Sequence, residues 1–184
     1  HISSGDMVQV RGKVQQYQGN LQMIVAQIHP AASNSYQEED FEIAPQTNVG
    51  PLLDRLKELL RSMECPSLRT LADCFMTDDA LVDALCSAPA GVKAHHAYMG
   101  GLLEHIVSMS ETAVRLCEVH PSLNRDLLLL GVLLHDLGKI RELGWDPSFT
   151  YTDEGQLLGH MNIAVEMLTE KLRQAESIQG YVPL

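Results

Sequence analysis

The sequence has no long hydrophobic run and few basic residues. Its longest apolar stretch, Leu127 to Leu134, has eight residues including a glycine, whereas a bilayer-spanning helix needs about 18. Its 184 residues include 13 Lys and Arg against 24 Asp and Glu, a formal net charge of -11 at pH 7. We therefore expect no transmembrane helix and no basic coat for nucleic acid. Any grip on a polyanion must be local, through a few Lys or Arg or a bound cation.

The cysteines form no CxxC motif, and no charged and then apolar leader opens the chain. Cys65, Cys74, Cys86 and Cys117 are widely spaced, which favours reduced, buried cysteines over a disulfide framework or a zinc knuckle. The lack of a secretory leader points the same way. Both features predict a cytoplasmic protein.

The first 28 residues alternate polar and apolar side chains. Period two runs from Met7 to Ile28, and Gly19 and Asn20 supply the positive φ values of a tight turn, so the segment predicts a β-hairpin. A two-stranded hairpin is marginal alone. We therefore interpret residues 1–28 as part of a small β-barrel that pairs with strands elsewhere.

Beyond the hairpin, the chain changes character twice. Residues 29–50 are rich in Pro, Ser, Asn, Gln and acids without a sustained period, which predicts a linker. Helical periodicity then dominates residues 51–184, so the fold class is mainly α. The predicted helices are Pro51–Met63, Ser67–Met76, Asp78–Ser87, Gly101–Val119, Asn124–Lys139 and Gln156–Gln174. Residues 144–155 are expected to form a loop or a small hairpin.

A His-Asp pair follows the most apolar of these helices. The segment Leu127 to Leu134 is apolar on every side, which predicts a helix buried in the bundle, and His135 and Asp136 come directly after it. A buried carboxylate beside an imidazole needs a cation or a tight partner. The alternative is a helix end where Asp136 pairs with Lys139 and His135 is half exposed.

Two further histidines lie on apolar helix faces. His105 lies on the apolar stripe of its helix, which consists of Leu102, Ile106, Met109, Ala113 and Leu116. His160 lies beside Leu157, Met161 and Ala164. Each alone is more often a core histidine. Together with the His-Asp pair they make four candidate ligands of the type that suits Mn²⁺, Fe²⁺, Mg²⁺ or Zn²⁺.

These residues and the sequence motifs around them resemble those of a known family. The motifs are HHAYMGGLLEH (95–105), LLHDLGK (133–139) and YTDEGQLLGH (151–160), which resemble those of the HD-domain metal phosphohydrolases. Within that superfamily the chain is similar to the YhaM-type 3′-5′ exoribonucleases, in which a nucleic-acid-binding OB-fold precedes the HD domain. VRGKVQQYQGNLQMIV (10–25) resembles the last strands of such an OB-fold. The implied architecture is a partial OB-fold hairpin, the linker and an HD helical bundle.

The resemblance also implies roles for individual residues. Its metal ligands correspond to His105, His135, Asp136 and His160, with Asp136 as a bridge if two ions are bound. Lys139 is expected to steady a phosphate oxygen. The resemblance assigns substrate contact to Lys93, His95, His96 and Tyr98. His95 and His96 would equally suit a solvated helix entry.

The activity implied is metal-dependent removal of nucleotides from the 3′ end of single-stranded RNA, with DNA left open. Mn²⁺ is the expected cofactor, with Fe²⁺, Mg²⁺, Zn²⁺ or Ni²⁺ as alternatives. Arg11 and Lys13, with Tyr17, would guide single strands to the site by charge and stacking.

Two rival functions remain: an HD phosphohydrolase of nucleotides or cyclic dinucleotides, and a non-catalytic nucleotide-binding HD module. A homo-oligomer is also left open. Family members continue with a further His pair and an Asp, whereas no His follows His160 here. We therefore expect an HD domain that is incomplete at its C-terminal end.

Overall fold

The computed structural model describes residues 2, 6–33, 35–36, 48–91, 98–144 and 150–179. It divides the chain into two compact units, His1–Glu42 and Ile43–Leu184. The first holds a two-stranded sheet and the second is helical, which confirms the mainly α fold class with a preceding hairpin. Most of the predicted linker lies outside the described residues. The boundaries of the three predicted segments, and the assignment of the hairpin to an OB-fold, stay predictions.

The hairpin of the first unit pairs strand β1, Val8–Tyr17, with strand β2, Asn20–Pro30, in antiparallel register. Its turn is displaced by one residue from the predicted position. Gln18 (φ 50°) and Gly19 (φ 83°) take the positive φ values, while Asn20 already pairs with Tyr17. Two consecutive left-handed residues match the twist of the flanking strands, so the turn stays tight although one of them is not glycine.

A bulge in β2 keeps the apolar residues of the hairpin on one face. Arg11 pairs with Gln27 but Gly12 pairs with Val25, so Ala26 is the extra residue. Because directly paired residues share a face, Val10 and Val14 of β1 lie on the same side as their partners Ile28 and Met23. This face is exposed within the unit.

The second unit is a helical bundle with one small two-stranded sheet. The helices are α1 Val49–Arg61, α2 Pro66–Met76, α3 Asp79–Ser87, α4 Gly101–Val119, α5 Arg125–His135, α6 Lys139–Glu142 and α7 Asp153–Gln179. Strands β3, Leu143–Gly144, and β4, Thr150–Tyr151, pair antiparallel between α6 and α7. This pair confirms the small hairpin predicted within residues 144–155.

Local signals explain where several helices begin. The side chain of Asp78 accepts the backbone N–H of Leu81 at the start of α3, and Asn124 accepts that of Leu127 at the start of α5. Pro66 opens α2, where its missing N–H costs nothing.

The core of the bundle is formed by aliphatic side chains and one phenylalanine. Its largest fully buried members are Leu56, Leu60, Met63, Leu71, Phe75, Leu85, Leu102, Leu103, Ile106, Leu129, Leu133 and Leu137. They come from α1 to α5 and from the turns after α1 and α5, so the start of α4 and the end of α5 are held by packing on several sides.

Helix α5 differs from its prediction in two ways. It ends at His135, whereas the predicted helix continued to Lys139, because Asp136 leaves the helical path (φ -117°) and the short α6 starts anew at Lys139. It is also not buried all round: Leu127 is 48% exposed and Gly131 is exposed. An apolar helix surface does not by itself ensure a partner on every side.

No helix among the described residues has the length and apolar character required to cross a bilayer. The four cysteines carry free thiols, with Cys74 buried and the other three partly buried. Burial raises the pKa of the Cys74 and Cys86 thiols, which keeps them protonated and unreactive near neutral pH.

Candidate metal centre

His105 lies in the second turn of α4, at the edge of the buried face. Its ring nitrogen Nε2 is 3.3 Å from Nε2 of His135 and 3.4 Å from Oδ2 of Asp136. The His105 side chain is 25% exposed, so the ring is reachable from solvent while its stem is packed.

The end of α5 positions the His-Asp pair. His135 is the last helical residue, and its Nδ1 is 2.7 Å from the carbonyl oxygen of Val132. Because a carbonyl only accepts, this contact places a proton on Nδ1 and makes Nε2 the lone-pair nitrogen of the neutral ring. Asp136 follows as the C-cap and is 8% exposed, with its Oδ2 3.4 Å from His135 Nε2.

These three ligand atoms form a nearly equilateral triangle. The edges are 3.3, 3.4 and 3.4 Å, and each atom is a donor that divalent metals accept. Ligands about 2.1 Å from one ion stand roughly 3.0 Å apart at 90° and 3.4 Å apart at the tetrahedral angle. The triangle therefore matches one face of a coordination shell, and the three residues are the only such metal-holding group found in the described part of the chain.

His160 contacts the other oxygen of the Asp136 carboxylate. Its Nε2 is 3.6 Å from Oδ1 of Asp136, whereas His105 and His135 contact Oδ2. Helix α7 is broken immediately before it, at Gly159 (φ 73°). The structure thus brings all four predicted histidine and aspartate residues together, and their roles as ligands remain a proposal.

Glu142 is a site residue that sequence reasoning missed. Its buried carboxylate accepts both the backbone N–H and the ring Nδ1–H of His160, each at 3.0 Å. In the sequence it is one acid among many, and no local pattern indicates that α6 is covered by α7. Glu104, in the first turn of α4, accepts a hydrogen bond from the Tyr98 hydroxyl at 2.6 Å.

Lys139 contacts the same carboxylate as the histidines. Its ammonium group donates to Oδ2 of Asp136 and to the carbonyl oxygen of Ala90, both at 2.8 Å. The i+3 pair considered as the alternative to a metal site is therefore present, but in addition to the histidine cluster. An ammonium group has three donors, and these two contacts hold it beside the site.

The faces assigned to α4 and α7 from periodicity were partly wrong. On α4, Met109 is 41% exposed and the buried face runs instead through neighbours such as Val107 and Ser110. On α7, Leu157 is 84% and Met161 70% exposed, because the break at Gly159 interrupts the helical phase on which the prediction depended. Both histidines nevertheless reach the site, since each lies at the edge of a buried face.

The predicted substrate residues are only partly described. Lys93, His95 and His96 lie outside the described residues. Tyr98 precedes α4, and burial together with its bond to Glu104 raises the pKa of its hydroxyl to about 12. The phenol therefore stays protonated at neutral pH and donates to that carboxylate.

In the first unit, Arg11 and Lys13 lie on the polar face of β1, two residues apart. Strand alternation places them with Gln15 and Tyr17 on that face, opposite the valines. The hairpin therefore separates a basic, aromatic-bearing face from an apolar one, although its contact with nucleic acid stays a prediction.

Comparison with known proteins finds a match between part of the second unit and a known family. The HD domain family matches residues 102–180, which include His105, the His-Asp pair and His160. No solved structure shows a significant match.

Nearly the whole chain also aligns with curated proteins named 3′-5′ exoribonuclease YhaM. It is 37% identical to the one from Bacillus velezensis over 174 residues, which is 94% of this chain and 54% of the relative. Identity is 36% to the Bacillus subtilis protein, with the same coverage, and 34% to the Listeria monocytogenes serotype 4b protein, over 95% of this chain and 55% of that relative. The chain spans about half the length of these relatives. Part of the second unit is therefore similar to the HD domain family, and nearly the whole chain is similar to about half of the length of proteins named 3′-5′ exoribonuclease YhaM.

Proposed function

We propose that this chain is the catalytic part of a metal-dependent 3′-5′ exoribonuclease that acts on single-stranded RNA. The observation that carries the proposal is the triangle of His105, His135 and Asp136 ligand atoms, with edges no longer than 3.4 Å, inside an HD domain. The printed names of the relatives support the choice of RNA and of the 3′ end.

In this proposal His105, His135 and Asp136 would hold a divalent cation. His160, whose Nε2 is 3.6 Å from Oδ1 of Asp136, would join them, and Asp136 would serve both ions if two bind. Mn²⁺ suits a mixed imidazole and carboxylate set, and Fe²⁺, Mg²⁺, Zn²⁺ and Ni²⁺ are the alternatives for a metal titration to separate.

When bound, the cation supplies an acidified water and an electrostatic anchor for a phosphodiester oxygen. The chain's own groups do the rest. Asp136 and the histidines would determine where the cation binds, and therefore where the scissile phosphate binds. Lys139, held by Asp136 and Ala90, places a positive charge beside that position, where it would stabilise the charge that develops on phosphate.

The net charge of the chain determines how an RNA strand can be bound. The chain is strongly acidic, so a strand must be held at local cationic points, and Arg11 and Lys13 with Tyr17 provide charge and a stacking ring on one face of the hairpin. Lys93, His95, His96 and Tyr98 are proposed to contact the 3′ end close to the metal. A cytoplasmic location is part of the same proposal.

The test is degradation of a 5′-labelled single-stranded RNA by the chain, and by a protein that extends it to the full length of its relatives. With Mn²⁺ we expect a ladder that shortens stepwise from the 3′ end and that a chelator abolishes. Hydrolysis of free nucleotides or cyclic dinucleotides alone would instead support the rival phosphohydrolase. Nucleotide binding without turnover would support a non-catalytic module.

A further inference from the structure

We propose that Glu142 is a positioning residue of the metal centre, which holds His160 with its proton on Nδ1 and its Nε2 directed at Asp136. The inference rests on the metal binding proposed above. It assigns a role to a residue that lies six positions after Asp136 and is not one of the predicted ligands.

The hydrogen bonds around His160 define the arrangement. One oxygen, Oε1 of Glu142, is 3.0 Å from the backbone nitrogen of His160 and 3.0 Å from its ring Nδ1. An ionised carboxylate only accepts, so both nitrogens donate to it. A neutral imidazole carries one proton, and Nε2 is then the lone-pair nitrogen, 3.6 Å from Oδ1 of Asp136.

Glu142 is itself held in place by its main chain. Its N–H donates to the carbonyl oxygen of Gly138 at 3.0 Å, and its own carbonyl accepts the N–H of Thr152 at 2.9 Å. Gly155 packs so closely on this carbonyl that an added Cβ would overlap it. Glu142 is 8% exposed. The carboxylate therefore has little freedom, and it ties His160 of α7 to the turn that carries Asp136.

Loss of this carboxylate is expected to change which nitrogen of the His160 ring carries the proton, and to leave the fold of the site unchanged. Neutral histidine in water favours the tautomer with the proton on Nε2, which would place a proton where a ligand needs its lone pair. A carboxylate that accepts from the distal nitrogen removes this cost and makes the ring a stronger donor. We therefore expect Glu142→Ala to weaken metal binding through His160, by about 10- to 100-fold.

The first experiment observes the ring directly in the metal-free full chain. Long-range proton–nitrogen NMR spectra at about pH 8, above the ordinary pKa of free histidine, should show His160 protonated on Nδ1 in the wild type. In Glu142→Ala the signal should move to the Nε2–H form, and Glu142→Gln, which keeps an acceptor oxygen, should restore Nδ1–H. An Nε2–H ring in the wild type, or an unchanged tautomer in Glu142→Ala, would overturn the proposal.

The second experiment measures the dissociation constant for Mn²⁺ by competition with a chromophoric chelator. Glu142→Ala should raise it about 10- to 100-fold and Glu142→Gln much less. In a His160→Ala background the Glu142→Ala change should have almost no further effect, because the two act as a unit. Glu154→Ala is the matched control, since this carboxylate at the start of α7 pairs with Arg141.

The outcomes separate this inference from the proposed function. If the wild type binds neither Mn²⁺ nor any of the four alternative metals, the proposed function fails, and the NMR spectra still decide the orientation of His160. If the wild type binds Mn²⁺ and Glu142→Ala binds it equally well, the positioning role fails. An equal, additive loss in the His160→Ala background would make Glu142 a structural residue only. Thermal unfolding of each variant establishes that the comparison is between folded proteins.

Discussion

Gly138 lies directly against the backbone of His160. A Cβ built on Gly138 would overlap the carbonyl oxygen of His160 and come within 2.9 Å of the backbone nitrogen of Ala164. The glycine of the LLHDLGK motif is therefore required by the close approach of α7. This helix carries His160, the fourth residue of the cluster, which contacts Asp136.

The first prediction follows from this contact. Gly138→Ala should force α7 away, lower the free energy of unfolding by about 1–3 kcal/mol and weaken binding of Mn²⁺. Chemical denaturation and metal titration measure the two effects. Gly131→Ala is the matched control: it lies in α5 with nothing within 4 Å of the added Cβ, and it should stabilise the chain by about 0.5–1 kcal/mol. If both variants behave alike, the close approach does not matter.

Removal of one charge at Asp136 should abolish function while the bundle stays folded. Asp136→Asn keeps the shape of the side chain but loses the negative charge beside His105 and His135, on which the proposed metal binding depends. We expect no detectable Mn²⁺ binding or RNA shortening, and a change in unfolding free energy below about 2 kcal/mol. Asp54→Asn on the exposed side of α1 is the control and should leave both activities intact. A metal-binding, active Asp136→Asn protein would contradict the assignment of the site.

The third prediction separates a role for Lys139 in turnover from a structural one. Lys139→Met removes a cation 2.8 Å from Asp136, which repels a bound metal ion, so Mn²⁺ affinity should be unchanged or tighter. Turnover of RNA should fall about 10²- to 10³-fold if the ammonium group stabilises charge on phosphate. Single-turnover rates at saturating metal measure this. Equal losses of affinity and turnover would show that Lys139 only supports Asp136.

A pH-dependent contribution to stability is expected from Asp78 and Lys171. The Lys171 ammonium, 2.6 Å from the carboxylate, lowers the pKa of Asp78 below its ordinary value of 3.8. A lowered folded-state pKa means that the stabilisation is complete above the unfolded pKa and is lost as the pH falls through the folded one. Asp78→Asn, which keeps a capping side chain, should cost about 1 kcal/mol at neutral pH, a modest figure because the carboxylate is a third exposed.

Urea unfolding from about pH 7 to pH 3 tests this. The difference between wild type and Asp78→Asn should be constant near neutrality and shrink below about pH 4. Asp83→Asn on the same helix is the control. A difference that persists unchanged at low pH would show that the ion pair is not its cause.

The sequence by itself determined the elements and the identity of the cluster. Period two and period 3.6 separate the hairpin from the helices because they reflect local backbone geometry, which each segment sets for itself. The His-Asp pair and the histidines of α4 and α7 are recognisable because imidazole and carboxylate groups at buried helix edges have few other uses.

The tertiary structure decided which faces are buried and what surrounds the cluster. Met109 and Leu127 look like core residues in the sequence but are exposed, since burial depends on which neighbour covers a face. Glu142 and Gly138 gain their importance only when α7 packs on the turn after α5. Such contacts join residues about 20 positions apart, and because they depend on how separate elements meet, local patterns do not encode them.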